Sequence, residues 1–130
     1  MSKHVDAVIV FIYNQTKDKV LMLERVKRFG FDWGFLCGKF EKKETAQECV
    51  QREIFEELGL KDLKLTKFKK LKHEKDDETF YHHYFYTTIS EDTQINFQKN
   101  EIKQVKWFNF SKLPTSRAPD NPKEPLELIK

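Results

Sequence analysis

Three glutamates, Glu53, Glu56 and Glu57, stand at the i, i+3 and i+4 spacing that groups side chains on one side of a helix. A helix is predicted from Thr45 to Leu58. Thr45 and Glu48 form a capping box, and Gly59 stands where a C′ residue closes the last turn. At about 100° per residue, Ala46, Val50, Ile54 and Leu58 make an apolar stripe, and the opposite, solvent pole falls at Arg52. Glu57 falls inside the edge of the stripe and Glu53 just beside it. A solvated charge run would put all three glutamates at the pole, and two of them are elsewhere. Carboxylates crowded on a half-buried shoulder repel one another, and burial alone favours protonating some of them. A hard divalent cation, Mg²⁺ or Mn²⁺, relieves that repulsion, taking oxygen ligands while keeping waters and substrate phosphates in its other positions. The spacing therefore predicts a metal site.

The rest of the chain must position that helix. Val5–Tyr13 is rich in β-branched and aromatic residues and reads as a buried strand, and Val20–Leu23 as its hairpin partner across the polar turn 14–18. A basic segment from Arg25 to Gly30 follows, then the short apolar run Trp33–Cys37. After the helix, Leu63–Leu71 and Phe80–Ile89 read as strands separated by a charged loop at 73–78. Ile102–Phe110 is a further strand, and Leu126–Ile129 a short helix after four prolines. The order β-β-β-α-β-β-β-α predicts an α/β (α+β) layered fold, a mixed sheet with helices packed on it.

Composition narrows the classes. At 130 residues the chain fits one domain, and twelve Phe, four Tyr and two Trp offset a modest 38% apolar share. No apolar run approaches the ~20 residues that span a bilayer. The first residues lack an A-x-A cleavage site and carry Asp6 where a leader is uncharged. Cys37 and Cys49 are too few for a disulfide framework and lack zinc spacing. A cytoplasmic protein with reduced thiols and no membrane partner is expected. The net charge of +3 suits an anionic substrate without itself indicating nucleic acid.

Gly38, Glu44, Arg52, Glu53, Ile54, Glu56, Glu57, Gly59 and Leu60 fill every defined position of G-x5-E-x7-R-E-U-x-E-E-x-G-U, where U is apolar. Seven fixed residues at roughly one in fifteen each match by chance on the order of 10⁻⁸ per start position. This stretch resembles the Nudix box, and the flanking strands and Trp107-Phe108 extend the resemblance over most of the chain. The resemblance implies a Nudix-type α/β/α sandwich over 1–130, a Mg²⁺-dependent hydrolase (Mn²⁺ also suits), and a nucleoside diphosphate linked to another group as substrate. It implies Glu53, Glu56 and Glu57 as metal ligands together with Gly38, Arg52 and Glu44 as braces of loop and helix, and Lys39 among the substrate-binding residues. Family members with a W-x-F-P-G-G-K run have Pro and Gly where this chain has Leu36 and Cys37, and a glycine is common where it has Lys43.

Within the family, the length resembles the MutT group of nucleoside triphosphate pyrophosphohydrolases, which implies a (d)NTP or an oxidised purine nucleoside triphosphate as substrate, cleaved to the monophosphate and pyrophosphate. That likeness implies Arg25 as a phosphate ligand and Glu101 as an added metal ligand or general base. Asp120 and Asn121 would read a purine edge. Other substrates in view are dinucleoside polyphosphates, nucleotide sugars and RNA 5′ ends. The basic segment Arg25-Val26-Lys27-Arg28, with the lysine cluster Lys67 to Lys72, would steer any polyphosphate and fits RNA at least as well. A non-catalytic nucleotide or RNA sensor, as a monomer or homodimer like the enzyme, would be expected to have lost a box glutamate, and all are present. His82 and His83, adjacent on a strand, point to opposite faces and suit no common metal.

Overall fold

The computed structural model describes residues 3–26, 30 and 32–129. Lys27, Arg28 and Phe29 of the basic segment lie outside them. In chain order the elements are β1 (Lys3–Tyr13), β2 (Lys19–Arg25), β3 (Trp33–Gly34), β4 (Leu36–Lys39), α1 (Ala46–Leu58), β5 (Thr66–Lys75), β6 (Glu78–Thr88) and β7 (Ile102–Asn109). A 3₁₀ turn, Phe110–Lys112, and α2 (Glu124–Leu128) complete them.

β1 organises the sheet because it is buried on both faces. Val8, Val10 and Ile12 enter one core cluster, and Ile9, Phe11 and Tyr13 the other. That is why its sequence is a continuous apolar run rather than an alternation. β6 runs parallel to β1 along its whole length, from Lys3↔Glu78 to Tyr13↔Thr88. On the other edge β4 lies antiparallel over Ala7–Val10, while β2 touches β1 only at Tyr13↔Val20. β2 carries β3 on one side and β7 on the other, and β5 closes the far edge beside β6. The sheet is mixed, as expected. α1 covers β4 and β1 on one face, while Phe110, Leu113 and Leu126 of the tail pack on the other. None of the helices among the described residues is long and apolar enough to cross a membrane.

Two sequence expectations change. The run Trp33–Cys37 is two strands, not one, because β1 and β2 diverge after their single pair. The chain crosses from β2 to β1 at Phe35, whose ring is buried in the second cluster. The charged loop expected at 73–78 is instead strand on both sides of a two-residue turn, with Lys75 paired to Glu78 and Asp76 at φ 56°. Edge strands tolerate charge because one side faces water. Leu63 and Leu65 precede β5 and pack against the first core cluster.

α1 begins and ends as its sequence demands. The Thr45 hydroxyl accepts from the Glu48 amide (3.1 Å), and the Glu48 carboxylate accepts from the Thr45 amide (2.9 Å). Such a cap contributes about 1 kcal/mol. Gly59, at φ 69°, donates its amide to the Phe55 carbonyl at 2.9 Å. Lys43, in the loop ahead of α1, has φ 67°, which explains why a glycine is common at that position. Because a side chain in this region costs roughly 1 kcal/mol or more, Lys43→Gly is expected to stabilise the fold by about 0.5–1 kcal/mol. A thermal melt raised by a few degrees is the expected readout, and an unchanged or lower midpoint would show that the loop carries no such strain.

Candidate active site

Arg52 is the hub of the loop–helix unit. Its Nε donates to Glu44 at 2.5 Å, and its Nη2 reaches the Lys39 carbonyl and Glu44 at 3.0 Å each. The same guanidinium, through Nη1, holds Glu53 at 2.7 Å and Glu56 at 3.1 Å. The helical wheel puts Arg52 at the solvent pole, yet only 20% of its side chain is exposed. It folds back over the preceding loop, where four acceptor groups satisfy its fork. The Arg52 hydrogen bond is the chief force holding the Glu44 carboxyl down to about 2, aided by the Glu41 amide, which donates to it at 2.8 Å.

Glu53 and Glu57 face inward. A Cβ on Gly38 would lie 2.1 Å from the Glu53 side-chain Cδ, so only glycine lets β4 come this close to α1. Glu57 is 5% exposed, and its Oε1 accepts from Arg25 Nη1 at 2.6 Å. Burial pushes its carboxyl up to about 7, against the opposing pull of Arg25. Burial also raises Glu53, opposed by its bond to Arg52. Glu56, at the outer rim, is exposed.

Among the described residues, the buried side-chain polar atoms without a partner are Glu57 Oε2, Arg25 Nε and Arg25 Nη2. Leaving such an atom unpaired costs about 1–3 kcal/mol each. All three belong to one cleft of about 680 Å³, also lined by Cys37, Glu53, Glu56, Gln98, Asn100 and Glu101. An orphaned carboxylate oxygen asks for a cation, and two orphaned guanidinium N–H groups ask for an anion. Carboxylates on a half-buried shoulder are the donor set a hard divalent ion takes. The residues present therefore fit such an ion, although no three His, Cys, Asp or Glu among the described residues form a ready-made cage. Instead Glu53 and Glu56 lean on Arg52, and Glu57 leans on Arg25.

The structure thus brings Arg25, Glu53, Glu56, Glu57 and Glu101 into one cleft, with Gly38 in van der Waals range of Glu53. Glu101 is held near Arg25 by a backbone bond from the Val26 amide to its carbonyl at 2.9 Å. Lys39 is exposed, and its contribution to the hub is its carbonyl. Asp120 and Asn121 do not line this cleft. Asp120 accepts from the Tyr84 hydroxyl at 3.1 Å, and burial raises its carboxyl. Asn121 is exposed, and its side-chain oxygen accepts from the Lys123 amide, so the two neighbours are not an equivalent pair. His82 and His83 do face opposite sides, His83 buried between Lys67 and Asp6. Sequence reasoning missed Gln98 and Asn100, which reach the cleft from the turn ahead of β7. Their proximity to Glu101 is the signal that would have found them. That turn is anchored where the Gln98 amide meets the Glu57 carbonyl at 3.2 Å.

The NUDIX domain family pattern matches residues 3–129. The chain is 28% identical over 109 residues to the m7GpppN-mRNA hydrolase dcap-2 of Caenorhabditis elegans, covering 81% of this chain but only 14% of that protein. The same identity, over 122 residues, relates it to the m7GpppN-mRNA hydrolase of Saccharomyces cerevisiae, 85% of this chain and 11% of that one. Among solved structures, the Escherichia coli dihydroneopterin triphosphate pyrophosphohydrolase superposes with a TM-score of 0.69 at 25% identity, covering 82% of this chain and 81% of that one. A MutT NUDIX hydrolase from Burkholderia pseudomallei superposes with a TM-score of 0.77 at 19% identity, over 98% and 99% of the two chains. With the family pattern spanning nearly the whole chain and every defined position of the box in place, the chain belongs to the Nudix family.

Proposed function

We propose that this chain is a divalent-metal-dependent pyrophosphohydrolase that cleaves a nucleoside triphosphate to the monophosphate and pyrophosphate. The observation that carries this reading is the juxtaposition of orphaned Glu57 Oε2 with the orphaned Arg25 N–H groups in one acidic cleft. Glu53, Glu56 and Glu57, with the Gly38 carbonyl, would hold the ion, and Arg25 would grip phosphate oxygens. When bound, Mg²⁺ (or Mn²⁺) supplies charge neutralisation on the phosphates and a lowered pKa for its water. Glu101, exposed on the rim of the cleft, would accept the proton of the attacking water. Arg52 and Glu44 act as positioning residues, holding Glu53 and Glu56 in place, and Lys39 adds positive charge at the mouth of the loop. The protein would work in the cytoplasm as a monomer or homodimer.

The base would lie on the other face of the sheet, beside Tyr84 and Asp120. Cys37, Ile9 and Tyr84 occupy one register row across β4, β1 and β6. Two strand spacings, about 10 Å, therefore separate the cleft-lining Cys37 from Tyr84 and its partner Asp120. A carboxyl that takes up a proton offers both a donor and an acceptor to a purine edge. Asp120→Ala, which removes both donor and acceptor, is expected to change the ranking of bases, with a roughly tenfold or larger rise in KM for the preferred purine and unchanged metal dependence. An unaltered base profile would remove Asp120 from recognition.

The deciding experiment is product analysis with Mg²⁺ on canonical and 8-oxo nucleoside triphosphates, dinucleoside polyphosphates, nucleotide sugars and capped or triphosphorylated RNA. Monophosphate plus pyrophosphate from one triphosphate supports the reading and names the base. A second reading, hydrolysis at RNA 5′ ends, is favoured by the mRNA hydrolases among the chain's sequence relatives. Turnover of RNA ends alone would select it. Tight binding of nucleotide without turnover would point instead to a sensor.

A further inference from the structure

The α1-side face of the sheet continues past α1 onto β6 and β5, where no helix among the described residues covers the area around Tyr81. Two register rows cross this area. Gly38, Val8, His83 and Lys70 form one, and Asp6, Tyr81 and Lys72 lie in the next row on the same face. The row that starts at Gly38, against Glu53, therefore ends at an exposed lysine three strand spacings away, about 14 Å. Tyr81 lies half-buried at the centre of the open area. The His4 ring is parallel to it, with centroids 6.0 Å apart and planes 5° apart, and Lys70 Nζ sits 4.8 Å from its centroid. The negative groups here are Asp6, bonded to His83 at 2.8 Å, and Glu74, which pairs with Lys72 at 3.2 Å and offsets its charge, so among the described residues Lys70 carries the unpaired positive charge beside Tyr81. Lys67 adds charge at the same edge through its contact with His83.

Aromatic rings flanked by lysines are how proteins hold single-stranded nucleic acid. Bases stack on the rings, and the cations follow the backbone. Neither feature serves a mononucleotide bound in the cleft on the far side of α1. We propose that Tyr81, with His4, Lys70 and Lys72, forms a platform for single-stranded RNA a few nucleotides beyond an end placed in the cleft. The inference deepens the second reading of function and rests on RNA being a partner of this fold.

The test measures the anisotropy of a fluorescein-labelled, 5′-triphosphorylated 12-nucleotide RNA without divalent metal, so that binding is read apart from hydrolysis. GTP hydrolysis in Mg²⁺ is measured in parallel. Lys70→Glu with Lys72→Glu is expected to weaken RNA binding at least tenfold, a larger factor than any accompanying rise in KM for GTP, and to flatten the salt dependence of RNA binding. Tyr81→Leu, which keeps an apolar side chain in a half-buried position, is expected to weaken binding several-fold without changing the salt slope. Wild-type affinity in both variants overturns the platform. So does an unmodified protein that hydrolyses GTP yet binds no RNA, which leaves the pyrophosphohydrolase reading standing. RNA binding that is lost in the variants, with no substrate hydrolysed, supports the platform and removes the catalytic reading instead.

Discussion

Replacing Glu57 by Gln is expected to lower kcat by about 10³-fold or more, equivalent to about 4 kcal/mol of transition-state stabilisation. The thermal midpoint should stay within a few degrees of the parent protein. The contrast between the two readouts follows from the two oxygens of this side chain. Oε1 is bonded to Arg25, and the amide oxygen of Gln can accept the same bond. Oε2 has no protein partner and is the atom assigned to the metal. An NH₂ group there donates instead of accepting and carries no charge, so ligation is lost while the fold is kept. Steady-state kinetics across a Mg²⁺ titration, beside a melting curve, separates the effects. Near-normal turnover would sink the assignment of Glu57 as a ligand.

Gly38→Ala carries the second large effect, and it acts through space rather than charge. The added methyl would stand 2.1 Å from Glu53 Cδ and 2.5 Å from its Cγ, well inside contact distance. Either β4 retreats from α1 or the Glu53 carboxylate swings away by more than an ångström. A misplacement of that size costs about 10²-fold in rate. The backbone carbonyl proposed as a ligand belongs to the same residue, so the loss is expected to reach about 10²–10³-fold, with a raised metal requirement. Stability should fall as well, by about 1–3 kcal/mol, because the contact is an overpacked one. If the alanine variant keeps wild-type kcat and metal dependence, the close approach of β4 to Glu53 has no catalytic purpose.

Much of the site was legible because it is local. The capping box, the closing Gly59 and the spacing of Glu53, Glu56 and Glu57 lie within one helix, where a 3.6-residue period fixes direction. The wheel therefore found the buried Glu57 correctly. It misjudged Arg52 because a wheel describes where Cβ points, and a long guanidinium can fold back to acceptors contributed by another segment. Glu101 and Arg25 reach the cleft only through sheet pairing, so no periodicity reveals them, and here the likeness to a family supplied what pattern could not. Their grouping in one cleft is consistent with that likeness. The split of Trp33–Cys37 into β3 and β4 was illegible for a related reason. A strand that changes partner midway looks, residue by residue, like one that does not. Lys43 is the reverse case, since its departure from the usual glycine was visible in the chain but gained a physical meaning only with its φ of 67°.

The parallel pairing of β1 with β6 and its antiparallel pairing with β4 make the middle of the sheet a caliper. Cys37 at the cleft and Tyr84 beside Asp120 are fixed on either side of Ile9 by backbone hydrogen bonds. Such a gauge cannot widen for a longer molecule without breaking a ladder buried on both faces. The span from the proposed base site at Asp120 to the edge of the cleft at Cys37 is therefore set by the sheet itself, and the turn bearing Gln98, Asn100 and Glu101 is tied to the same frame by the Gln98 amide on the Glu57 carbonyl and the Val26 amide on the Glu101 carbonyl.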